Sequence, residues 1–235
     1  MGHASLERLT ADLVDCRRCP RLVAWREEVA REKRAAFSDW EYWGRPVPGF
    51  GDPRARLLVV GLAPAAHGGN RTGRVFTGDR SGDWLFRALY QTGFASQPVS
   101  ESRDDGLVLR DAYILAIVRC APPGNRPTTE ERDTCRAWLE KELALLDRVE
   151  VTVALGQMAY QQLLRVYRGR GLPVPSPRPR FAHLAELDLR PAGPLVISSY
   201  HPSQQNTFTG KLTREMFQAV FELVRSVLAR FPLSP

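Results

Sequence analysis

Residues 56–61 read Arg-Leu-Leu-Val-Val-Gly, a short apolar run that passes directly into a loop of small residues. A continuous apolar run of this length is typical of a strand that is buried on both faces, as the strands of parallel sheets are. Three further apolar runs follow at 112–118, 149–155 and 195–199, and helical patterns separate them. This alternation predicts an α/β fold, a three-layer α/β/α sandwich with a central, mainly parallel four-stranded sheet.

The helices are predicted from the spacing of apolar residues and from capping signals. Thr128 and Glu131 stand at the spacing of a capping box, and Ser81 is placed to cap a helix that carries Trp84 and Leu85. The predicted helices cover residues 4–36, 128–147, 156–167 and 212–230. We predict one domain over residues 1–235, in which residues 1–50 form an N-terminal helical extension and the stretch 37–53 is an irregular connection.

The charge of the chain favours a polyanionic partner. Among 235 residues, 33 Lys and Arg outnumber 26 Asp and Glu, which gives a net charge of +7 and a pI near 9.6. Nucleic acid is the first candidate partner, although genomic base composition alone also enriches arginine. No apolar run reaches bilayer-spanning length and the N-terminus has no secretory apolar region, so we expect a cytoplasmic protein without a membrane partner.

The four cysteines are candidate metal ligands. Cys16 and Cys19 form a CxxC pair. One hundred residues separate Cys19 from Cys120, and fourteen separate Cys120 from Cys135. In a reducing compartment such cysteines are not expected to form disulfides. Four thiol ligands suit a tetrahedral zinc ion or a four-iron cluster, although the ligands of structural zinc usually come as two closely spaced pairs. Four unrelated buried thiols are the third alternative.

Ligands of parallel sheets bind beyond the carboxyl ends of the strands, which directs attention to the loops after Gly61, Val118 and Ser199. The first loop is rich in small residues that let backbone N–H groups approach a ligand, but it lacks the GK[ST] of a Walker loop. In the last loop, His201 at a strand end suits hydrogen bonding to a ligand, and a purely structural histidine is the alternative reading.

Three motifs combine with the CxxC pair. They are GLAPAAHGGNRTGRVFTGD at 61–79, RCAPPGNRPT at 119–128 and HPSQQN at 201–206. Together they resemble the family 5 (type B) uracil-DNA glycosylases, from about Cys16 to the final helix. The resemblance implies an α/β/α fold that binds DNA and flips a damaged base into a pocket. It also implies a structural [4Fe-4S] cluster on the four cysteines, which would tie the N-terminal extension to the sheet.

The resemblance assigns roles to individual residues. His201 would donate a hydrogen bond to O2 of the flipped base, and Phe76 would stack on its face. Ser203 would grip a phosphate, while Gln204 and Gln205 would enter the minor groove. The predicted substrate-binding set also includes Gly61, Ala63, Ala65 and Asn206.

Two positions depart from the related families. Those families place an acidic or amide residue in the first loop to direct water, and an Asn before the second-strand cysteine to read the base. Here residues 61–65, Gly-Leu-Ala-Pro-Ala, include no acidic or amide residue, and the second position is Ala116. The nearest polar substitutes are Asp79 for the water or sugar cation and Asn125 for the base edge. A helix cap and a turn residue, respectively, are their alternative roles.

The predicted function is excision of uracil, and of hypoxanthine and xanthine, from DNA by a monofunctional enzyme that leaves an abasic site. A lyase step is disfavoured because Lys211 is the only lysine near the three loops. The expected partner is double-stranded DNA with a deaminated base, with single-stranded DNA as a further form, and the protein is expected to be a monomer. The alternatives are an iron–sulfur protein that binds damaged DNA without cutting, a redox protein and a nucleotide-binding α/β protein.

Overall fold

The computed structural model describes residues 2–230, with side chains from residue 5 onward. The strands are β1 (Phe50–Gly51), β2 (Leu57–Gly61), β3 (Ala112–Ala116), β4 (Val151–Leu155), β5 (Ala185–Asp188) and β6 (Leu195–Ser199). The helices are α1 (Gly2–Val14), α2 (Pro20–Glu32), α3 (Gly69–Thr72), α4 (Arg80–Gln91), α5 (Thr129–Leu145), α6 (Gln157–Gly169), α7 (Gln204–Phe208) and α8 (Arg214–Ala229). No helix within this part of the chain is long and apolar enough to cross a membrane.

The strands form one sheet in the order β1-β3-β2-β4-β6-β5. The four strands predicted from apolar runs are its parallel centre, in which Leu57 pairs with Ala112 and with Val151, and Val151 pairs with Leu195. All residues of these four strands are buried. The predicted α/β fold is therefore confirmed, and the carboxyl ends of the central strands meet at one edge of the sheet.

The predicted number of strands was wrong, because the sheet has six strands and not four. The two additional strands, β1 and β5, pair antiparallel at opposite edges. β1 is only two residues long, and the residues of β5 alternate between half-buried and exposed. An edge strand with one solvated face lacks the continuous apolar run by which buried strands are found.

The helical boundaries follow local capping chemistry. The segment 4–36 is two helices, because the chain leaves α1 before Cys16 and α2 begins at Pro20 after Cys19. The capping box of Thr128 and Glu131 is confirmed. Asp79, and not Ser81, caps α4: its Oδ1 accepts a hydrogen bond from the Gly82 N–H at 3.0 Å. Ser81 instead donates to the carbonyl of Pro202.

Two apolar cores lie on opposite faces of the sheet. Leu57 and Val59 point into the core beneath α4 and α8, whereas Leu58 and Val60 point into the core beneath α5 and α6. This alternation along one buried strand is what makes three layers. In the N-terminal extension, α1 packs against α5. The division of the domain at residue 50 stays a prediction.

Candidate active site

A cleft opens at the carboxyl edge of the sheet and collects side chains from four loops. Ala63 and Asp79 line it from the loop after β2, Asn125 from the loop after β3, and His201 from the loop after β6. After β4, Gly156 and Gln157, the first residue of α6, also line the cleft, and neither has a predicted role. The three loops expected to carry the chemistry therefore share one cavity.

The aromatic rings of Phe76 and His201 face each other in this cleft. Their centroids are 5.9 Å apart and their planes differ by 29°. Phe76 has a left-handed backbone conformation with φ +52°, and its ring lies against Gly61. A Cβ atom at position 61 would be 2.6 Å from Cζ of Phe76, so the glycine makes room for the ring. The two principal side chains of the predicted site are thus brought together.

His201 is an uncharged imidazole at neutral pH. Desolvation in the cleft lowers the pKa of its side chain from 6.5 to about 4. Asn206 donates from Nδ2 to the carbonyl of His201 at 2.8 Å, and Ser203 caps α7 by accepting from the Asn206 N–H at 3.4 Å. Both residues line the cleft and also hold the His201 loop in place.

Asp79 combines the two roles considered for it. It caps α4 with one carboxylate oxygen, and it also lines the cleft. Its second oxygen lies close to Gly68, where an added Cβ would be 2.4 Å from Oδ2. Desolvation raises the pKa of the Asp79 carboxyl above its ordinary value of 3.8. A cap and a cleft carboxylate are therefore compatible in this residue.

Asn125 ends a 3-10 turn and has φ +57°, a conformation that asparagine tolerates better than most residues. Its side chain is exposed and lines the cleft, so the turn role is present and the base-edge role stays a prediction. The other residues predicted to bind substrate lie in two places. Those in the cleft wall are Ala63, Ala65, Ser203 and Gln204, whereas Gly61 lies beneath Phe76.

The N-terminal extension supplies part of the cleft wall, which the sequence did not indicate. Trp25, Arg34 and Phe37 line the cleft although they precede the first motif by more than twenty residues. His67 also lines it, and its Nδ1 lies 3.1 Å from the hydroxyl of Tyr42. The one sequence feature that could have identified His67 as a cleft residue is its position inside the first motif. The extension residues lacked any signal because their contacts are not local in sequence.

Arg71 links the extension to the first loop. Its guanidinium carbon lies 4.0 Å from the ring centroids of both Phe37 and Trp40. From this sandwich its Nε donates to the carbonyl of His67 at 2.8 Å, and its Nη2 donates to that of Gly78. Cation–π contacts of a buried arginine are stabilising. The loop that carries Phe76 is therefore supported from the side of the extension.

The four cysteines line a second, small cavity between the extension, β3 and α5. Hydrogen-bond donors surround their sulfur atoms. Arg26 donates from Nη1 to Sγ of Cys120 at 2.9 Å, and the indole N–H of Trp138 donates to Sγ of Cys16 at 3.4 Å. The backbone N–H of Arg119 donates to Sγ of Cys135 at 3.3 Å. Such donors stabilise thiolates.

The surroundings of the four cysteines bear on the kind of centre they could hold. Within residues 2–230, no group of three or more Cys, His, Asp or Glu side chains is arranged to hold a metal ion. Arg26 and Arg119 are buried beside the cavity. Arg119 forms a buried ion pair with Glu142, whereas Nε of Arg26 has no hydrogen-bond partner. The guanidinium of Arg26, which donates to Sγ of Cys120, would offset negative charge on thiolate ligands.

Comparison with known proteins agrees with this geometry. Residues 48–225 match the model of the uracil DNA glycosylase superfamily. Type-5 uracil-DNA glycosylases are similar over most of the chain. The Mycobacterium tuberculosis protein is 53% identical over 94% of this chain and 81% of its own length, and the Thermus thermophilus protein is 53% identical over 91% and 94%. That of Pyrobaculum aerophilum is 49% identical over 88% and 87%. The chain belongs to the uracil DNA glycosylase superfamily and, within it, to the type-5 uracil-DNA glycosylases.

Proposed function

We propose that this protein is a monofunctional DNA glycosylase that hydrolyses the N-glycosidic bond of uracil in DNA and leaves an abasic site. The observation that carries this proposal is the pairing of Phe76 with a neutral His201 in one cleft. The type-5 relatives, which are named uracil-DNA glycosylases, support the same activity. The chemistry serves base-excision repair, in which an altered base is removed before the strand is restored.

The substrate base has to leave the duplex before it can enter the cleft. Extrusion costs a few kcal/mol, and stacking on an aromatic ring returns about 1–3 kcal/mol. Two van der Waals contacts would require a gap of about 7 Å, so the 5.9 Å between the rings does not admit a base. We infer that the base lies on the Phe76 ring with one edge toward His201, and not between the two rings.

His201 stabilises the charge that the base gains as the bond breaks. The developing anion is spread over the pyrimidine and its O2 atom, where a preorganised N–H donor lowers the barrier most. A neutral imidazole donates from one nitrogen only. Because desolvation disfavours the imidazolium form, His201 reaches O2 as a fixed dipole without undergoing protonation.

Asp79 is the acidic side chain in the cleft wall that we assign to the attacking water or to the sugar cation. The first loop has Ala63 and Ala65 where a polar side chain would otherwise direct water, so bond cleavage precedes water attack in a dissociative path. In this proposal Asp79, in the cleft wall, stabilises the sugar cation or orients the water. Lys211 lies 4.8 Å from the Tyr200 ring centroid at the cleft edge, and no Schiff-base step is assigned to it.

The cleft accepts hypoxanthine and xanthine as well as uracil in this proposal. Ala116 lines the cleft at the end of β3, where the related families carry an asparagine. A methyl group forms no hydrogen bond to the base edge, and sites without such a contact discriminate weakly between bases. Asn125, on the neighbouring turn, supplies the remaining amide.

The proposal is tested with duplex oligonucleotides that carry a single uracil, hypoxanthine or xanthine. We expect alkali-labile sites from all three, and none from an undamaged duplex. Release of uracil alone would contradict the broad specificity and leave the glycosylase activity standing. Absence of release from every substrate, by protein that still binds the oligonucleotides, would contradict the enzymatic function and favour a damage-binding protein.

The lowered pKa of His201 determines how the stability of the fold and the protonation of this ring depend on pH. Its folded pKa, about 4, lies below the ordinary 6.5, so folding favours the neutral ring. The resulting stabilisation is complete above pH 6.5 and is lost as the pH falls through about 4. We expect the His201 ring signals in an NMR titration, assigned with the His201→Gln variant, to stay those of a neutral imidazole down to about pH 5. A midpoint near the ordinary value would contradict the desolvated site.

We also propose that Cys16, Cys19, Cys120 and Cys135 hold a [4Fe-4S] cluster. Support comes from the shared cavity, the donors to three of the sulfurs and the buried guanidinium of Arg26. When bound, the cluster would supply a structural cross-link and no step of the base-release chemistry. It would fasten the extension that carries Trp25, Arg34 and Phe37 into the cleft wall, and so keep that wall in place.

The partner is DNA, and we propose duplex DNA with a deaminated base as the principal form, with single-stranded DNA as a further one. Mispaired bases cost least to extrude, which favours deaminated positions within a duplex. The relatives come from bacteria and archaea, whose DNA is cytoplasmic, and we propose that compartment here. The monomeric state stays a prediction.

A further inference from the structure

A groove continues from the cleft along α6. It is lined by Gln157, Tyr160, Gln161 and Leu164 of α6 and by residues 178–181. Gln157 and Phe181 line both the groove and the cleft, so the two form one continuous depression. None of the roles assigned above involves the groove beyond these two residues.

The groove carries positive charge that the structure does not neutralise. Arg178 and Arg180 line it and are exposed. Neither forms an ion pair or a side-chain hydrogen bond with any residue in the described part of the chain, whereas the exposed Arg165 pairs with Asp133 at 2.6 Å. No acidic side chain among the described residues lines the groove. Two unpaired guanidinium groups in such a setting select an anion, and their planar shape suits phosphate.

The segment that carries these arginines is held in place. Prolines 175, 177 and 179 alternate with the residues between them and restrict the backbone, which lowers the entropy lost on binding. At one end, Arg168 donates from Nη2 to the carbonyl of Pro175 at 2.6 Å. At the other end, the Phe181 ring packs against Tyr160 and Tyr200, with centroids 5.8 and 6.0 Å away.

We propose that Arg178 and Arg180 bind the sugar-phosphate backbone of DNA beside the nucleotide that enters the cleft. The proposal rests on the proposed glycosylase function, because continuity with the base-binding cleft is what identifies the anion as DNA. A small free anion would need no groove that opens into the cleft. The arginines add affinity that does not depend on base sequence, and they hold the strand while the base is everted.

The test compares two double variants that remove the same charge. R178Q/R180Q removes the groove arginines. R54Q/R148Q removes two exposed arginines that precede β2 and β4, at the edge of the sheet opposite the cleft. Binding to a duplex with a tetrahydrofuran abasic analogue is measured over a range of salt concentrations. We expect R178Q/R180Q to bind more weakly and to reduce the slope of log K against log salt by about 1.8, at 0.9 for each phosphate contact.

The outcomes separate this inference from the function on which it rests. R54Q/R148Q should keep the wild-type slope, because its two arginines lie at the edge of the sheet opposite the cleft. If both double variants showed the same salt slope, and the wild-type protein assayed alongside them released uracil, the groove assignment would be overturned. Failure of the wild type to release uracil would contradict the proposed function, and the salt slopes would still report on the groove.

Discussion

Replacing His201 with alanine is expected to lower the single-turnover rate of uracil release by about 100- to 1000-fold, the usual effect of removing one preorganised donor. The centroid of the His201 ring lies 5.9 Å from that of Phe76 in the cleft, and the ring is neutral because its environment is desolvated. Binding should change far less than the rate, since the donor acts on charge that develops only as the bond breaks. The measurement is a single-turnover assay with enzyme in excess over a uracil-containing duplex.

A conservative variant provides the control. His201→Gln keeps an N–H donor and should recover part of the rate that His201→Ala loses. Because Asn206 donates to the backbone carbonyl of His201, neither variant removes the contact that shapes this loop. A rate within about threefold of wild type for His201→Ala would show that the imidazole does not stabilise the leaving base.

Replacing Cys135 with serine is expected to remove the iron and to lower the melting temperature by roughly 8–16 °C. Loss of a metal centre belongs to the mutations that cost about 4 kcal/mol or more, and each kcal/mol shifts a domain of this size by about 2–4 °C. Cys135 is buried on α5, and in the proposed cluster it would connect α5 to the extension, a link that serine would remove. The measurements are iron and sulfide content, visible absorption and thermal unfolding.

Thr134→Ser is the matched control, because Thr134 lines the same cavity without providing a sulfur ligand. It should retain both the iron and most of the thermal stability. Wild-type protein that contains zinc and no iron would contradict the cluster, and so would a Cys135→Ser variant that binds as much iron as the wild type. In either case the cysteines would need a different explanation.

The central sheet could be predicted from sequence because its strands are buried on both faces. Val59 and Val60 point into opposite cores, so the run that contains them is apolar throughout. The edges could not be predicted in this way. β5 has Glu186 and Asp188 on its exposed side, and β1 is a two-residue pairing that depends on β3 being in place. Pairing of that kind is a property of the assembled fold.

The site could be predicted where a motif and a strand end coincide, as for Phe76 and His201. It could not be predicted where distant segments meet. Arg71 was part of a quoted motif, but its sandwich between Phe37 and Trp40 depends on how the extension folds back over the first loop. Asp79 shows a third case, because one carboxylate both caps α4 and lines the cleft. From the sequence alone, the helix cap and the cleft carboxylate are alternative roles for Asp79.

The most direct test is a crystal structure of His201→Ala, the slower of the two variants, bound to a duplex that contains one uracil. We predict that the uracil is everted into the cleft, with its face on the Phe76 ring and its O2 edge toward residue 201. A uracil that remains stacked in the duplex, or that is everted into a different part of the protein, would contradict the shared role of Phe76 and His201.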